Sequence, residues 1–219
     1  IHAGDISNKG GEKGVTKFIY WFQNIQGFDA KIFISGNHDH CFEQVNKPHH
    51  KRDYDWLRNL MAPENLAQSD VYYLEDDFMI IERPEFSRPI KIYGSPWQPE
   101  FHNWAFNLPK NGLELEEKWN NIPDDTDIVV THGPPKGILD LSYSRENVLE
   151  FCGDTSLKKR MLDLKPKLCL FGHIHNCKEI INQGVSTYYG TRTIFSNGAC
   201  VDDGRFDRGL TSFGNIIEL

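Results

Sequence analysis

Three short, mostly apolar segments of this chain each end in polar residues of the kinds that bind metal ions, and this repeated pattern constrains the fold most. The segments span residues 31–35, 127–131 and 168–171. Apolar runs of four or five residues are typical of strands buried on both faces, in a sheet covered by other layers. Because ligand groups collect at the carboxyl ends of such strands, the pattern predicts one site assembled from several strand ends.

Helices and further strands supply the covering layers. One apolar helical face is predicted from the spacing of four residues, Phe18, Trp21, Phe22 and Ile25. Further helices are predicted near residues 54–61, 113–119 and 156–164. Segments rich in β-branched and aromatic residues predict strands of a second sheet at residues 91–93, 187–189, 193–196 and 215–219. Together these elements predict a layered α/β sandwich.

The composition predicts one packed domain. The 219 residues suffice for one substantial core, and the apolar share of 39% and charged share of 25% are ordinary for a globular protein. No internal repeat or low-complexity linker divides the chain. We therefore predict a single domain over residues 1–219.

The net charge of −7 offers no general cationic field for a polyanion, so we expect no extended nucleic acid as a partner. A short basic segment at residues 47–52 is interpreted as solvated surface. A small phosphorylated substrate stays compatible with the charge, because bound divalent ions can reverse the local charge of a carboxylate-lined site.

The cysteines and the apolar runs bear on the cellular compartment. The five cysteines show no C-x-x-C spacing, which argues against a disulfide framework and a zinc-thiolate site and favours a reducing compartment. No apolar run approaches the ~18 residues that span a bilayer, so we expect a soluble, cytoplasmic protein without a membrane partner. The chain opens without Met, in residues that suggest the end of a strand, so we expect residues before Ile1.

The polar residues at the strand ends form the set that a two-metal hydrolytic site needs: a bridging carboxylate, imidazoles and an amide or carboxylate oxygen. They occur in four motifs, Gly4-Asp5, Gly36-Asn37-His38-Asp39, Thr131-His132-Gly133-Pro134-Pro135 and Gly172-His173-Ile174-His175. The Gly-Asp pair and a single histidine are weak signals when each is taken alone, since Gly-Asp is common in turns and a lone His is usually a satisfied polar residue. The four motifs in this order favour metal binding.

With these motifs the chain resembles the calcineurin-like metallophosphoesterase superfamily, whose signature runs D-x-H, G-D, G-N-H-[DE], H and G-H-x-H. All but the first are present. The chain is also similar to the brain metallophosphoesterase-domain family of phosphodiesterases at residues 93–99, 104, 106–109, 118–120 and 131–135. The resemblance implies a four-layer αββα sandwich with two mixed β-sheets flanked by helices, here lacking its first strand.

The resemblance also implies the metal ligands. Asp5 would bridge two divalent ions, of manganese, iron or zinc. One site would be completed by three further residues, Asn37, His132 and His173. His175 would belong to the second site, whose other ligands are the Asp and His of D-x-H, expected before Ile1. The chain as written should therefore bind one ion adequately and the other poorly.

The mechanism expected from these residues is attack on phosphorus by a hydroxide held between two ions about 3.5–4 Å apart. His38 is not needed as a ligand, and we predict that it is the general acid that protonates the departing oxygen. Asp39 is predicted to hold the His38 imidazole in orientation.

An aromatic insert over residues 95–107 and five other histidines are less specific. The insert contains four large aromatic residues, Trp97, Phe101, Trp104 and Phe106. They could form a pocket wall, but we favour core packing. His2 is predicted to pack in its strand. The default for the rest, His40, His49, His50 and His102, is an exposed loop.

Three functions are compatible with these observations. The first is a phosphodiesterase that acts on a small, nucleotide-like substrate, plausibly with Mn²⁺. The second is a phosphomonoesterase, including a protein phosphatase, since the ligand set alone does not distinguish the ester. The third is a binding scaffold that has lost catalysis, which the missing D-x-H motivates. We favour the first, because a scaffold has no physical need for His38 together with both histidines of Gly-His-Ile-His.

Overall fold

The structure is a computed structural model, and it describes residues 1–45, 54–144, 146–201, 210 and 212–218. The helices are α1 Glu12–Asn24, α2 His40–Gln44, α3 Asp55–Leu60, α4 Pro63–Ala67, α5 Leu113–Asn120 and α6 Thr155–Leu164. The first six strands are β1 Lys31–Phe33, β2 Val71–Tyr73, β3 Asp77–Ile81, β4 Ile90–Ser95, β5 Gln98–Pro99 and β6 Asn107–Leu108. The other six are β7 Ile128–Thr131, β8 Leu141–Tyr143, β9 Leu149–Phe151, β10 Leu168–Phe171, β11 Gly184–Thr187 and β12 Ile194–Asn197.

Six strands form the main sheet, in the order β11-β12-β10-β7-β4-β3. The four inner strands run parallel, and β3 and β11 are antiparallel at the two edges. Ile128 of β7 lies between Ile92 of β4 and Leu168 of β10. Because these strands are parallel and in this register, the residues that follow β7 and β10 lie at the same end of the sheet, beyond the carboxyl ends of the strands.

A smaller sheet pairs β1 with β2 in parallel, and His2 forms a parallel bridge to Phe33 beside it. Two further pairs, β5 with β6 and β8 with β9, lie in the connections. The main sheet is therefore mixed, whereas the strand pairs of the smaller sheet are parallel within the described residues.

Successive side chains of a strand point to opposite faces of its sheet, and the contacts on these faces place the elements in four layers. Ile32 of the small sheet packs with Ile128 and Val130 of the main sheet in one buried cluster. The next residue of β1, Phe33, points the other way and packs with residues of α1 and α3. Val129 of β7 faces α5 and α6 instead. This order of helices, small sheet, main sheet and helices confirms the predicted α/β class and αββα sandwich.

The three apolar strands and those predicted at 91–93 and 193–196 were correct in position, but their assignment to sheets was wrong. The apolar segments at 127–131 and 168–171 correspond to β7 and β10. They lie in the same sheet as β4 and β12, which were assigned to the second sheet, whereas β1 belongs to the small sheet. β-Branched composition favours a strand but does not specify its neighbour; here the connections through α5 and α6 place β4, β7 and β10 side by side.

Two other local predictions differ from the structure. Residues 215–218 form no strand, and the side chain of Asn215 donates instead to the carbonyl oxygens of Gly184 and Asn197. The buried face of α1 is formed by Val15, Ile19 and Phe22, while Trp21 is 56% exposed. The aromatic spacing therefore located the helix, but its buried face is rotated away from Trp21.

The remaining expectations have mixed outcomes. Within the described residues, none of the five cysteines forms a disulfide. Within the described ranges, no helix has both the length and the apolar composition to cross a membrane. The basic segment at 47–52 lies outside the described residues, and the single-domain interpretation stays a prediction.

Candidate metal centre

The Gly4-Asp5 turn places the Asp5 carboxylate beside residues that follow β1 and β7. Both residues have positive φ, 94° at Gly4 and 57° at Asp5. A Cβ at Gly4 would lie 2.6 Å from His132 Nδ1 and from the Ser35 carbonyl oxygen, so only glycine fits. Asp5 Oδ1 accepts the backbone N–H of His38 at 3.0 Å and lies 3.5 Å from His132 Nε2.

Asn37, His132 and His173 come together although they follow three different strands. Asn37 is buried, and its Oδ1 lies 2.8 Å from His132 Nε2 and 2.9 Å from His173 Nδ1. The ligand atoms of Asp5, His132 and His173 all lie within 4.8 Å of one another. The structure thus brings four of the five predicted metal ligands together.

When the His132 ring is neutral, as in a metal ligand, the hydrogen bond on its far side assigns the tautomer. Nδ1 lies 2.8 Å from the carbonyl oxygen of Ala3, which can only accept, so Nδ1 carries the proton and Nε2 carries a lone pair. That lone pair faces the Asn37 and Asp5 oxygens. Such a convergence of acceptor atoms is stabilised by a cation, and a set of two imidazoles, one amide and one carboxylate suits manganese, iron or zinc. These residues therefore fit one divalent ion.

The electrostatics of the site favour the metal-binding forms of its ligands. Burial alone would raise the pKa of Asp5, but the positive charge of His132 in its protonated form and the backbone N–H of His38 hold it below its usual range. Burial, together with the nearby His132, lowers the pKa of His173 to about 3. Asp5 is therefore ionised and His173 neutral at pH 7, as metal coordination requires.

Asp39 does not orient His38, and that prediction is wrong. The buried Asp39 carboxylate accepts four hydrogen bonds, from Ile6 N at 3.1 Å, Ser7 N at 2.9 Å, Ser7 Oγ at 2.7 Å and Gly36 N at 2.9 Å. Burial and the Asp5 charge raise its pKa to about 6. Asp39 therefore ties the loop after Asp5 to the turn after β1, which fixes the position of Asp5.

The group that orients His38 is the backbone of Asn8. His38 Nδ1 donates to the Asn8 carbonyl oxygen at 2.8 Å. The other constraint on the ring is Trp104, whose indole lies against it with ring centroids 4.2 Å apart. A backbone carbonyl in a Gly-rich loop gives no signal in the sequence, so Asn8 was missed.

His175 lies outside the group of mutually close ligand atoms found among the described residues. Its segment is held by two asparagines that the sequence analysis missed. Asn182 Nδ2 donates to the His175 carbonyl oxygen at 2.8 Å, and Asn197 Nδ2 donates to that of Ile174 at 3.0 Å. The assignment of His175 to a second metal ion stays a prediction.

The aromatic insert divides between the core and the site. Phe106 is fully buried and packs edge-on against Trp97, as core packing predicts. Trp104 covers His38, and Phe101 lies near His173 with ring centroids 5.9 Å apart. Half of the insert therefore borders the metal ligands, which the expectation of core packing did not include.

The other histidines mostly follow expectation. His2 packs against Phe18 with ring centroids 5.0 Å apart, and His102 is exposed. His40 differs from its prediction, because it begins α2 and its ring lies 5.4 Å from that of Trp104. The remaining pair, His49 and His50, lies outside the described residues.

The tight fit at Gly36 gives a testable prediction. A Cβ there would lie 2.3 Å from Asp5 Oδ1, 2.4 Å from Asp5 N and 2.5 Å from His132 Cε1. Because backbone would have to move, we expect Gly36→Ala to reduce the free energy of unfolding by about 1–3 kcal/mol and to weaken metal binding. Urea unfolding and equilibrium dialysis against Mn²⁺ measure the two effects.

Gly172 supplies the matched control, since it occupies the equivalent position before His173. There the nearest atom to an added Cβ is 3.8 Å away. Gly172→Ala should therefore change both quantities little. Equal effects of the two substitutions would contradict the steric account.

Comparisons with known proteins identify the family to which the chain is similar. The model of the family described as calcineurin-like phosphoesterase matches residues 1–177. Human metallophosphoesterase domain-containing protein 1 is 36% identical over 199 residues, which cover 86% of this chain and 57% of that protein. The mouse protein of the same name gives the same values. The chain thus spans little more than half the length of these relatives.

Solved structures show the same fold at low sequence identity. The protein TT1561 of Thermus thermophilus is 13% identical with a TM-score of 0.51, and the match covers 88% of this chain and 72% of that one. The phosphopantetheinyl hydrolase of Mycobacterium tuberculosis is 16% identical with a TM-score of 0.51, over 92% of this chain and 77% of that one. These similarities concern the fold alone.

Proposed function

Because the chain belongs to the calcineurin-like phosphoesterase family, we propose that it is a metal-dependent phosphodiesterase acting on small, nucleotide-like substrates. The observation that carries this proposal is the convergence of the side-chain oxygens and ring nitrogens of Asp5, Asn37, His132 and His173.

The proposed enzyme uses two divalent ions, of manganese, iron or zinc. Asp5, Asn37, His132 and His173 would hold the first. Asp5 would also contact the second, to which His175 would contribute, and the described residues leave that second site incomplete. When bound, such ions supply an activated water nucleophile and neutralise the phosphoryl oxygens.

His38 is proposed as the general acid. Its Nδ1–H is held by the Asn8 carbonyl, which leaves Nε2 as the atom that delivers a proton to the departing oxygen. A carbonyl acceptor on Nδ1 is compatible with the doubly protonated ring that a general acid requires. Trp104, whose ring packs against that of His38 at an angle of 37°, restricts rotation of the imidazole, so the proton is donated in one direction.

The net charge of −7 supports a small substrate rather than an extended nucleic acid. The aromatic rings of Phe101 and Trp104 beside the ligands support a substrate that carries an apolar or planar group. The choice of a diester rests on the similarity to the brain phosphodiesterase family noted in the sequence.

The proposal is tested with the metal-stripped full chain. After Mn²⁺ is restored, we expect hydrolysis of bis(4-nitrophenyl) phosphate to exceed that of 4-nitrophenyl phosphate, and EDTA to abolish both. Release of 4-nitrophenolate is followed by absorbance. A rate that does not depend on Mn²⁺ would contradict metal dependence, and faster hydrolysis of the monoester would contradict the proposed substrate class.

A further inference from the structure

The loop over residues 100–107, here called the aromatic loop, is built around one side chain. Asn107 Nδ2 donates to the carbonyl oxygens of Phe101 at 3.2 Å and His102 at 3.0 Å, and Asn107 Oδ1 accepts the Phe101 N–H at 3.4 Å. Gln98 is fully buried and donates to the same Oδ1 at 3.2 Å. The tip of the loop is therefore fixed from within.

The aromatic loop is also fixed to the metal centre. The backbone N–H of Ala105 donates to the Asn37 carbonyl oxygen at 3.1 Å. Gln98 lies next to Gly133, the residue after His132, because its Cβ is 3.5 Å from where a Cβ of Gly133 would be. The segments that contain Asn37 and His132 thus determine the position of the aromatic loop.

This construction holds Phe101 half in solvent beside a buried ligand. Phe101 is 49% exposed. The plane of its ring lies at 83° to that of the His173 ring, and the two ring centroids are 5.9 Å apart. A single exposed Phe is ordinary on a protein surface. Here, however, the Asn107 side chain holds the Phe101 backbone at the edge of the site, because it donates to the Phe101 carbonyl oxygen and accepts the Phe101 N–H. The buried Gln98 holds Asn107 in turn.

Trp104 is less exposed to solvent than Phe101. Its ring is in contact with His38 at 4.2 Å and with His40 at 5.4 Å, and it is partly buried. The Phe101 ring also lies against that of His102, with centroids 4.4 Å apart, but Phe101 is the more exposed of the two rings that the aromatic loop brings to the site.

We propose that Phe101 is a specificity-determining residue that stacks on a planar group of the substrate, such as a nucleobase, while the phosphate lies at the metal ligands. The inference rests on the proposed function, since it names the substrate class of the same site. Base stacking tolerates any base, because each has an apolar planar face. The proposal therefore predicts preference for nucleoside phosphates over alkyl phosphates, without strong preference among bases.

The test compares binding of thymidine 5′-monophosphate and methyl phosphate to the Mn²⁺-loaded chain by calorimetry. Both carry the same phosphate group, and one has no base. We expect the wild type to bind the nucleotide more tightly, and Phe101→Ala to reduce this preference about tenfold, which is about 1.4 kcal/mol. Phe101→Tyr should retain it.

Phe86 provides the control, because it is 42% exposed and lies in the connection between β3 and β4. Phe86→Ala should leave the preference unchanged. An unchanged preference in Phe101→Ala, or equal binding of the two phosphates by the wild type, would overturn the inference. A chain that prefers the nucleotide through Phe101 but hydrolyses no diester would support the inference and contradict the proposed function.

Discussion

Replacing His38 by Asn is expected to lower kcat about 10²–10⁴-fold for a diester with an alkoxide leaving group. The same substitution should have a far smaller effect on 4-nitrophenyl esters, because 4-nitrophenolate departs without a proton. The physical reason is that His38 Nε2 is the proposed proton donor, with Nδ1 held by Asn8. Steady-state kinetics on methyl 4-nitrophenyl phosphate and on a nucleoside alkyl diester measure the difference.

His40 is the matched control, since its ring lies against the same Trp104 indole. His40→Asn should preserve the dependence of the rate on the leaving group. If His38→Asn slowed both classes of ester equally, His38 would be a structural residue or a ligand, and its assignment as general acid would fail.

Replacing His132 by Ala is expected to weaken Mn²⁺ binding at least about 100-fold, since even residues that only support a metal ligand cost 10–100-fold when removed. The ring is buried, and its Nε2 lone pair is aimed at the Asn37 and Asp5 oxygens by the hydrogen bond from Nδ1 to Ala3. Equilibrium dialysis measures the dissociation constant.

His102→Ala is the control for the loss of an imidazole, because His102 is exposed and is not one of the proposed ligands. Its Mn²⁺ affinity should match that of the wild type. Unchanged affinity in His132→Ala would mean that the ion, if it binds, is held elsewhere. Circular dichroism shows whether each variant is folded.

The parts of the site that lie at the ends of apolar strands were predictable from the sequence. His132 follows β7, and the parallel strands β7 and β10 deliver the residues after them to the same end of the main sheet. Asn37 follows β1 of the small sheet and contacts His132 there. His173, two residues after β10, meets them there for the same reason. The local pattern of strand and polar residue is enough to predict this convergence, even though the division of the strands between sheets was wrong.

Features that depend on long-range hydrogen bonds were not predictable. The sequence places Asp39 next to His38, but the chain folds so that the Asp39 carboxylate points to the backbone of Ile6 and Ser7. Phe101 and Phe106 belong to the same aromatic insert, yet one is half exposed beside His173 and the other is buried. Composition gives the burial tendency of a residue type, whereas the path of the loop decides which ring is exposed.

The central claim is that Asp5, Asn37, His132 and His173 hold the divalent ion on which phosphodiester hydrolysis depends. The most direct test titrates the metal-stripped chain with Mn²⁺ and measures, in the same samples, bound ions per chain and the rate of bis(4-nitrophenyl) phosphate hydrolysis. The account predicts that hydrolysis appears only as ions bind, and that Asn37→Ala shifts both curves together to higher Mn²⁺. Hydrolysis without bound ion, or an Asn37→Ala curve that coincides with the wild type, would contradict it.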